Sequence, residues 1–408
     1  MNSNNFKLFN PDLIRALRHK NFRIFFVWQV VSMIGSWVQI TAMPWLIYRL
    51  TDSVMLLGLV GFLSQIFVLI LSPFAGAVAD HYNKRKLLIL AQVLLMLQAF
   101  ILAALTISGE IQISHIIILV TFVGVVFALD MPARQSFLIE MVDKEDLANA
   151  IALNSAVANT SRFIGPAIAG ILIATVGEGY CFLINGMSFI GVLVVLYFMK
   201  NVVPNVVDKA SSIREKFFSG LTYIRSSKDI PPILLICALI GLTSAFPIVL
   251  MPVFVKDIFH LDARGLGIFM SAIGVGAILG TAKVVLRKKT EGLCRLIISS
   301  SMGFGLAVIA FGLSKNIFFA VLFLVLSGYF MVVEMVASNT YMQTIVPDNM
   351  RGRIMGFFAM AFIGFTPVGS LISGFLANKI SAQLTVAAGG FLSIVVTAII
   401  RKKILKTN

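Results

Sequence analysis

Acidic residues are scarce in this chain. Only 18 of its 408 residues are Asp or Glu, against 33 Lys or Arg, and charged residues of both signs make up 12%. A soluble domain of this length carries about twice that charge on its surface, so a water-exposed globule is excluded. Cysteine is nearly absent as well. Cys181, Cys237 and Cys294 form an odd, scattered set in or beside apolar stretches. They offer neither a disulfide framework nor metal-ligand spacing, and they read as packing residues. The 4 histidines are equally dispersed. Nowhere do His, Cys, Asp or Glu gather into a metal centre or a nucleophile with its base. No Gly-rich loop ends in a phosphate-binding Lys, so ATP hydrolysis is not expected. An enzyme, a metal and a cofactor are all unsupported.

What is present is apolar sequence in long runs. Hydrophobic residues reach 59%, and the mean hydropathy is +0.96. A helix needs roughly 20 apolar residues to cross a bilayer. Apolar stretches fall at 22–48, 54–79, 87–108, 115–138, 148–176 and 180–199. They resume at 231–255, 265–286, 293–314, 316–342, 353–377 and 384–400. Residues 1–21 are polar, without a short apolar core and cleavage site, so Trp28 to Leu46 reads as a retained first span. The expected organisation is a cytoplasmic segment 1–21, a six-helix bundle 22–199, a linker 200–230, a second bundle 231–400 and a basic tail 401–408. In the linker, Ile213, Phe217, Leu221 and Ile224 recur at helical spacing beside Arg214, Lys216 and Arg225. That pattern predicts a short helix on the membrane surface.

The net charge of +15 suggests nucleic acid until its placement is read. Lys84-Arg85-Lys86 follows the second span, Arg287-Lys288-Lys289 the eighth and Arg401-Lys402-Lys403 the twelfth, whereas the loops 108–114 and 177–179 contain no Lys or Arg. Under the positive-inside rule the basic side is the cytoplasm, both termini lie there, and the partner of the charge is an inner membrane, not nucleic acid.

The two halves also repeat one another. One gap-free offset sets Asp130 on Glu334, Met131 on Met335, Ala133 on Ala337, Val142 on Val346, Gly165 on Gly369 and Gly170 on Gly374. Gly76 then meets Gly280, and Lys84-Arg85 meets Lys288-Lys289. Two bundles related by such a repeat are a transporter architecture, with substrate bound between them near the midplane.

Polar residues inside the spans are the candidate working parts. Gln29, Ser32, Ser36 and Gln39 share one face of the first span and are expected to line a wet substrate cavity, with bonds to a neighbouring helix as the alternative. In the fifth span Ser155, Asn159, Arg162 and Pro166 share a face, with Asn154 nearby. Arg162 lies about 15 residues, some 22 Å, into its helix. An arginine there costs at least about 2.5 kcal/mol and needs an anionic or carbonyl partner. That partner is either a structural ion pair or an anionic substrate in the cavity. Asp130 and Glu334 lie about two-thirds of the way along matched spans towards the cytoplasm. A carboxyl group that alternates between apolar and cationic surroundings can take up and release a proton. Arg134, one turn beyond Asp130, points to a structural pair there. Glu334 has no base nearby on its own helix and is favoured as the proton carrier, with Ser338 and Tyr341 extending its face.

The loop after the second span, Gly76-Ala77-Val78-Ala79-Asp80-His81-Tyr82-Asn83-Lys84-Arg85, resembles the signature of the major facilitator superfamily. Gly76, Asp80, Lys84 and Arg85 match in kind. His81 replaces a guanidinium, and Asn83 replaces a glycine while tolerating a left-handed turn. The resemblance implies that Asp80, with Lys84, Arg85 and Arg134, forms a cytoplasmic gate that clips the two halves together and breaks during transport. Trp28, Gln29, Ser32, Gly35, Trp37, Gln39, Pro44, Trp45 and Tyr48, with Asp130-Met131-Pro132-Ala133-Arg134-Gln135, resemble the branch of macrolide, tetracycline and enterobactin exporters. Ser36 stands where many members of that branch carry an acid, so a proton role for that acid does not carry over. Gly165-Pro166-Ala167-Ile168-Ala169-Gly170 partly resembles the antiporter motif of drug exporters, with Ala152, Ser161 and Ala169 in place of further glycines. These residues stay small, as close helix packing requires.

The expectation is an all-α membrane protein of twelve transmembrane helices in two pseudo-symmetric halves, the major facilitator fold. It acts as a secondary transporter that exports an amphipathic or anionic organic compound, such as a drug or siderophore, in exchange for protons. A monomer is expected. A lipid flippase or a small-molecule importer on the same fold is the alternative.

Overall fold

The computed structural model describes residues 11–199, 213–287 and 291–405, without the side chains of 11–13, 72–81, 213–216 and 402–405. A 3-10 helix, Pro11–Arg18, precedes α1 (Lys20–Thr51), α2 (Val54–His81), α3 (Lys84–Ile107), α4 (Ile113–Ile139), α5 (Leu147–Val176) and α6 (Glu178–Phe198). Next come α7 (Ile213–Ser226), α8 (Ile230–Val253) with a π-helical extension Phe254–Ile258, and α9 (Ala263–Val285). The chain closes with α10 (Leu293–Leu313), α11 (Ile317–Ile345), α12 (Asp348–Lys379) and α13 (Ala382–Leu405). Twelve of these helices, all but α7, are long and apolar enough to cross a membrane. The expected tail residues 406–408 and linker residues 200–212 lie outside the described residues.

Helix ends follow from local chemistry. Asp262 and Asn316 each accept a hydrogen bond from a first-turn amide, at 2.9 Å in both cases, which relieves an orphan donor. Gly177, at φ 91, lets α5 reverse into α6 in a single residue. Asn83 corrects its sequence reading. Its backbone is extended at φ −62 and ψ 112, and its side chain caps α3 by accepting from Lys86 N at 3.1 Å. Its role is that of a helix cap, and no left-handed turn is involved.

The repeat read in the sequence is reproduced in the packing. In the first half α1 packs on α5 and α6, α2 on α4, and α3 on α4 and α6. In the second half the matching helices pack alike: α8 on α12 and α13, α9 on α11, and α10 on α11 and α13. The halves meet through two equivalent pairs, α2 on α12 and α5 on α9. Glycines set both crossings. A Cβ on Gly170 would lie 2.8 Å from Gly267 Cα, and one on Gly374 would lie 2.7 Å from Gly58 Cα. Any side chain would force these helices apart.

Candidate functional site

Three polar links join the two halves at mid-depth and at the end away from the basic clusters. Ser271 Oγ donates to Phe163 O at 3.1 Å, Lys256 Nζ donates to Asp52 Oδ1 at 2.6 Å, and the Tyr48 hydroxyl donates to Asp257. The π-helical turn carries both Lys256 and Asp257 against α1. At the basic end the described links on Lys84, Arg85 and Arg134 run within the first half. Lys84 Nζ bonds Glu140 Oε1 at 2.9 Å, and Arg85 donates to the Leu196 and Tyr197 carbonyls at 2.6 and 2.7 Å. These signature bases thus fasten the start of α3 to the ends of α4 and α6. Gly76 lies in α2, and the Asp80 side chain lies outside the described residues.

Between the end that carries these links and the basic end, the polar face of α5 is exposed. Ser155, Asn159 and Arg162 are exposed, and Pro166 is buried. Arg162 forms no ion pair or hydrogen bond among the described residues. Its guanidinium carbon instead stands 5.2 Å from the centre of the Trp37 ring, within cation–π range. Gly165 lies against Trp37 of α1, and Gly170 lies against α9. The motif Gly165, Pro166, Gly170 therefore places two neighbours of α5 at once.

The stripe on α1 faces the interior of its own bundle. Gln39 donates to Gln98 Oε1 at 3.2 Å and accepts from Asn185 Nδ2 at 2.8 Å, and Ser36 Oγ lies 3.4 Å from Asn185 Oδ1. Gln29 and Ser32 are each 2% exposed. Neither amide atom of Gln29 has a partner. Buried polar groups in that state call for water or a conformational exchange.

The two matched carboxylates differ sharply in their partners. Asp130 is buried, accepts from Gln92 Nε2 at 2.8 Å and pairs with Arg134 at 2.7 Å. Glu334 is wholly buried, and its Oε1 accepts from Ser338 Oγ at 2.8 Å, with Cys237 Sγ at 3.7 Å. Its Oε2 has no partner, and among the described residues no cation pairs with it. The repeat explains the contrast, because the offset sets Arg134 on Ser338 and Gln92 on Leu296. Tyr341 is half-buried one further turn along α11. All three cysteines are buried and outside any disulfide.

Sequence reasoning missed Trp37 as a neighbour of Arg162 and the cross-half links of Tyr48, Asp52, Lys256 and Asp257. One signal was available. Asp52 and Lys256 are 204 residues apart, the offset that also relates Asp130 to Glu334, so their opposite charges occupy equivalent positions.

Comparison with known proteins agrees with this geometry. The staphyloferrin A transporter of Staphylococcus aureus is 28% identical over 381 residues, covering 92% of this chain and 94% of its own. An enterobactin exporter, EntS of Shigella boydii serotype 4, is 25% identical over 388 residues, covering 94% and 91%. Among solved structures, a point mutant of the nucleoside transporter NupG superposes with a TM-score of 0.76 at 13% identity, covering 94% of this chain and 99% of that one. A bacterial homologue of the human lysosomal transporter Spinster, inward-facing and unoccupied, gives 0.72 at 13% identity, covering 95% and 98%. These structures share the major facilitator fold. A model of the transmembrane secretion effectors matches residues 13–408, and the chain is therefore a multi-pass membrane transporter belonging to that family of the major facilitator superfamily.

Proposed function

We propose that the protein exports an organic anion of the siderophore class across the inner membrane in exchange for protons, by rocking its bundles 22–199 and 231–400 about the α2–α12 and α5–α9 contacts. Both termini and the basic clusters lie in the cytoplasm, where the arginine and lysine bias supports them. The staphyloferrin A and enterobactin proteins among its relatives support the substrate class, and the unpaired Arg162 supports the negative charge. The links at the outer end and the open face of α5 fit a chamber open to the cytoplasm.

One observation carries the coupling: a buried Glu334 with an unpaired oxygen and no cation. An ionised carboxylate without a partner costs on the order of several kcal/mol in such surroundings. Glu334 therefore holds a proton while the chamber is empty and sheds it to the cytoplasm as substrate enters. Asp130 is bound to Arg134 throughout and keeps the first bundle in register. The protein works as a monomer, because each half supplies its own part of the chamber. The test is gradient-driven uptake into inverted vesicles by the variant Glu334→Gln. Transport is expected to fall to the level of empty vesicles with folding unchanged. Undiminished gradient-driven uptake would take Glu334 out of the coupling step.

A further inference from the structure

Arg162 presents an uncommon combination. It is a mid-membrane arginine, exposed within the protein, with five N–H donors and no acceptor among the described residues. The chain nonetheless holds it in a defined place. Gly165 follows one helical turn later on the same face of α5, and a Cβ there would collide with Trp37 Cβ. The absence of that Cβ lets α1 approach closely enough for the Trp37 ring to lie under the Arg162 guanidinium at 5.2 Å. A cation held over a ring face spends none of its N–H donors on that contact, so all five stay available. Two of them can form the parallel fork that a two-oxygen anion accepts.

The second half carries no such device. The offset sets Trp37 on Gly241 and Arg162 on Thr366, so the platform belongs to one half alone. A purely architectural cation–π contact would serve equally well in both bundles. Its confinement to one wall of the chamber, beside the exposed Asn159 and Ser155, fits recognition.

We propose that Trp37 and Arg162 form the anion-reading subsite of the chamber, with Arg162 gripping a carboxylate of the substrate through this fork and Trp37 acting as the positioning residue that aims it. The class of substrate is an organic compound with at least one carboxylate. This rests on the reading of the protein as an exporter of organic anions, but it concerns binding and needs neither a gradient nor a transport direction. Trp37 was visible in the sequence only as part of a family pattern. Its role follows from the ring geometry and from the glycine that seats it.

The test is calorimetric titration of the purified full-length protein, at constant ionic strength, with tricarballylate as the probe. Its trimethyl ester and inorganic phosphate are the controls. Tricarballylate is expected to bind and the ester is not. Arg162→Gln is expected to abolish binding, and Arg162→Lys, which loses the fork but keeps the charge, is expected to weaken it about tenfold. Trp37→Phe keeps a ring face and binds within about threefold of the parent, whereas Trp37→Leu keeps bulk without the face and loses about tenfold. The melting temperature of each variant without probe separates misfolding from lost recognition, and Arg162→Lys with Trp37→Phe supply folded comparisons if the harsher variants fail. Unchanged binding in Arg162→Gln, equal losses in Trp37→Phe and Trp37→Leu, or equal binding of ester or phosphate would each overturn the proposal. Failure of Glu334→Gln to stop uptake, with tricarballylate binding intact, would instead count against the coupling scheme alone.

Discussion

Asp130 and Glu334 occupy the same point of a repeated structure, yet their surroundings are opposite. The first is held by Arg134 and Gln92; the second meets Ser338 and Cys237 and keeps one oxygen unpaired. The helix-packing scheme of the two halves is otherwise the same. What differs is whether a buried charge is neutralised inside the bundle. A neutralised carboxylate can stay ionised through every conformation, so it serves as a strut. An uncompensated one is costly to ionise where it sits, and under the proposed function its proton follows the transport cycle. The repeat holds two equivalent acids, and only the first has a cation one turn along its helix.

The largest effects should follow from moving that difference. Asp130→Asn leaves the half-buried Arg134 without its partner and is expected to cost about 3 kcal/mol of stability. The folded protein should keep its gradient-driven uptake, in contrast to Glu334→Gln. Thermal unfolding in detergent, with uptake normalised to folded protein, checks both. Arg134→Ser should cost a similar amount, and the double variant Asp130→Asn, Arg134→Ser should recover most of it, since both members of a buried pair are then gone. If the double variant were as unstable as the sum of the singles, the two residues would not be acting as a pair. If Asp130→Asn alone stopped uptake with stability intact, the contrast between the two acids would fail.

How much of this was legible in the sequence depended on whether a feature was periodic or pairwise. The spans, the short helix α7 and the two halves were legible because burial in lipid writes itself as long apolar runs and because the repeat preserves Gly165 with Gly369 and Gly170 with Gly374. The Asp130–Arg134 pair was legible because a four-residue spacing on a helix is local. The partners of Gln39, Arg162 and Glu334 on other helices were not: Gln98 and Asn185, Trp37, and Cys237. Helix rotation decides those contacts, and one residue of rotation turns a cavity face into a packing face. For this reason the α1 stripe, expected to line the substrate cavity, instead lies against α3 and α6 inside its own bundle.

A smaller effect sits where the repeat crosses itself. Asp52 and Lys256 occupy equivalent positions and pair across the end away from the basic clusters at 2.6 Å, with the Lys256 ammonium also 5.3 Å from the Tyr48 ring. Equivalent positions normally carry similar residues; here opposite charges make the two halves complementary to one another. The pair is well exposed, so its worth is about 1 kcal/mol or less. Even so, that amounts to roughly a fivefold shift between two states that are nearly balanced. Lys256→Glu should raise the rate at which a cysteine placed below the link is labelled from outside, by about that factor. The swap Asp52→Lys with Lys256→Asp should restore the parent rate. No recovery in the swap would show that the link is a surface contact without influence on the outer seal.

The smallest difference lies just before each bundle, where the 3-10 helix and α7 hold equivalent places and use different forces. The first is fastened by charge: His19 Nε2 lies 2.8 Å from Asp146 Oδ2, Arg15 pairs with the same carboxylate, and Asn149 accepts from Ala16 N at 2.9 Å. The second is fastened by Arg353 on Ser219 at 2.7 Å and by Phe217 against Phe357 at 5.1 Å, neither of which involves an acid. The hydrogen bond from His19, opposed by burial and aided by Arg15, holds the Asp146 carboxyl below its ordinary value of 3.8. A depressed acid stabilises the docked state above its unfolded value and loses that contribution as pH falls through the docked one. The charged strap should therefore hold from neutral pH down to about 4 and loosen below it, while the aromatic strap should not respond. Spin labels at Arg18 and at the exposed Thr222 would report this as mobility that rises at the first site only. Asp146→Asn should produce the same rise at neutral pH. Equal loosening at both sites in acid would mean that a property common to the whole basic face, and not the Asp146 cluster, holds the first strap down.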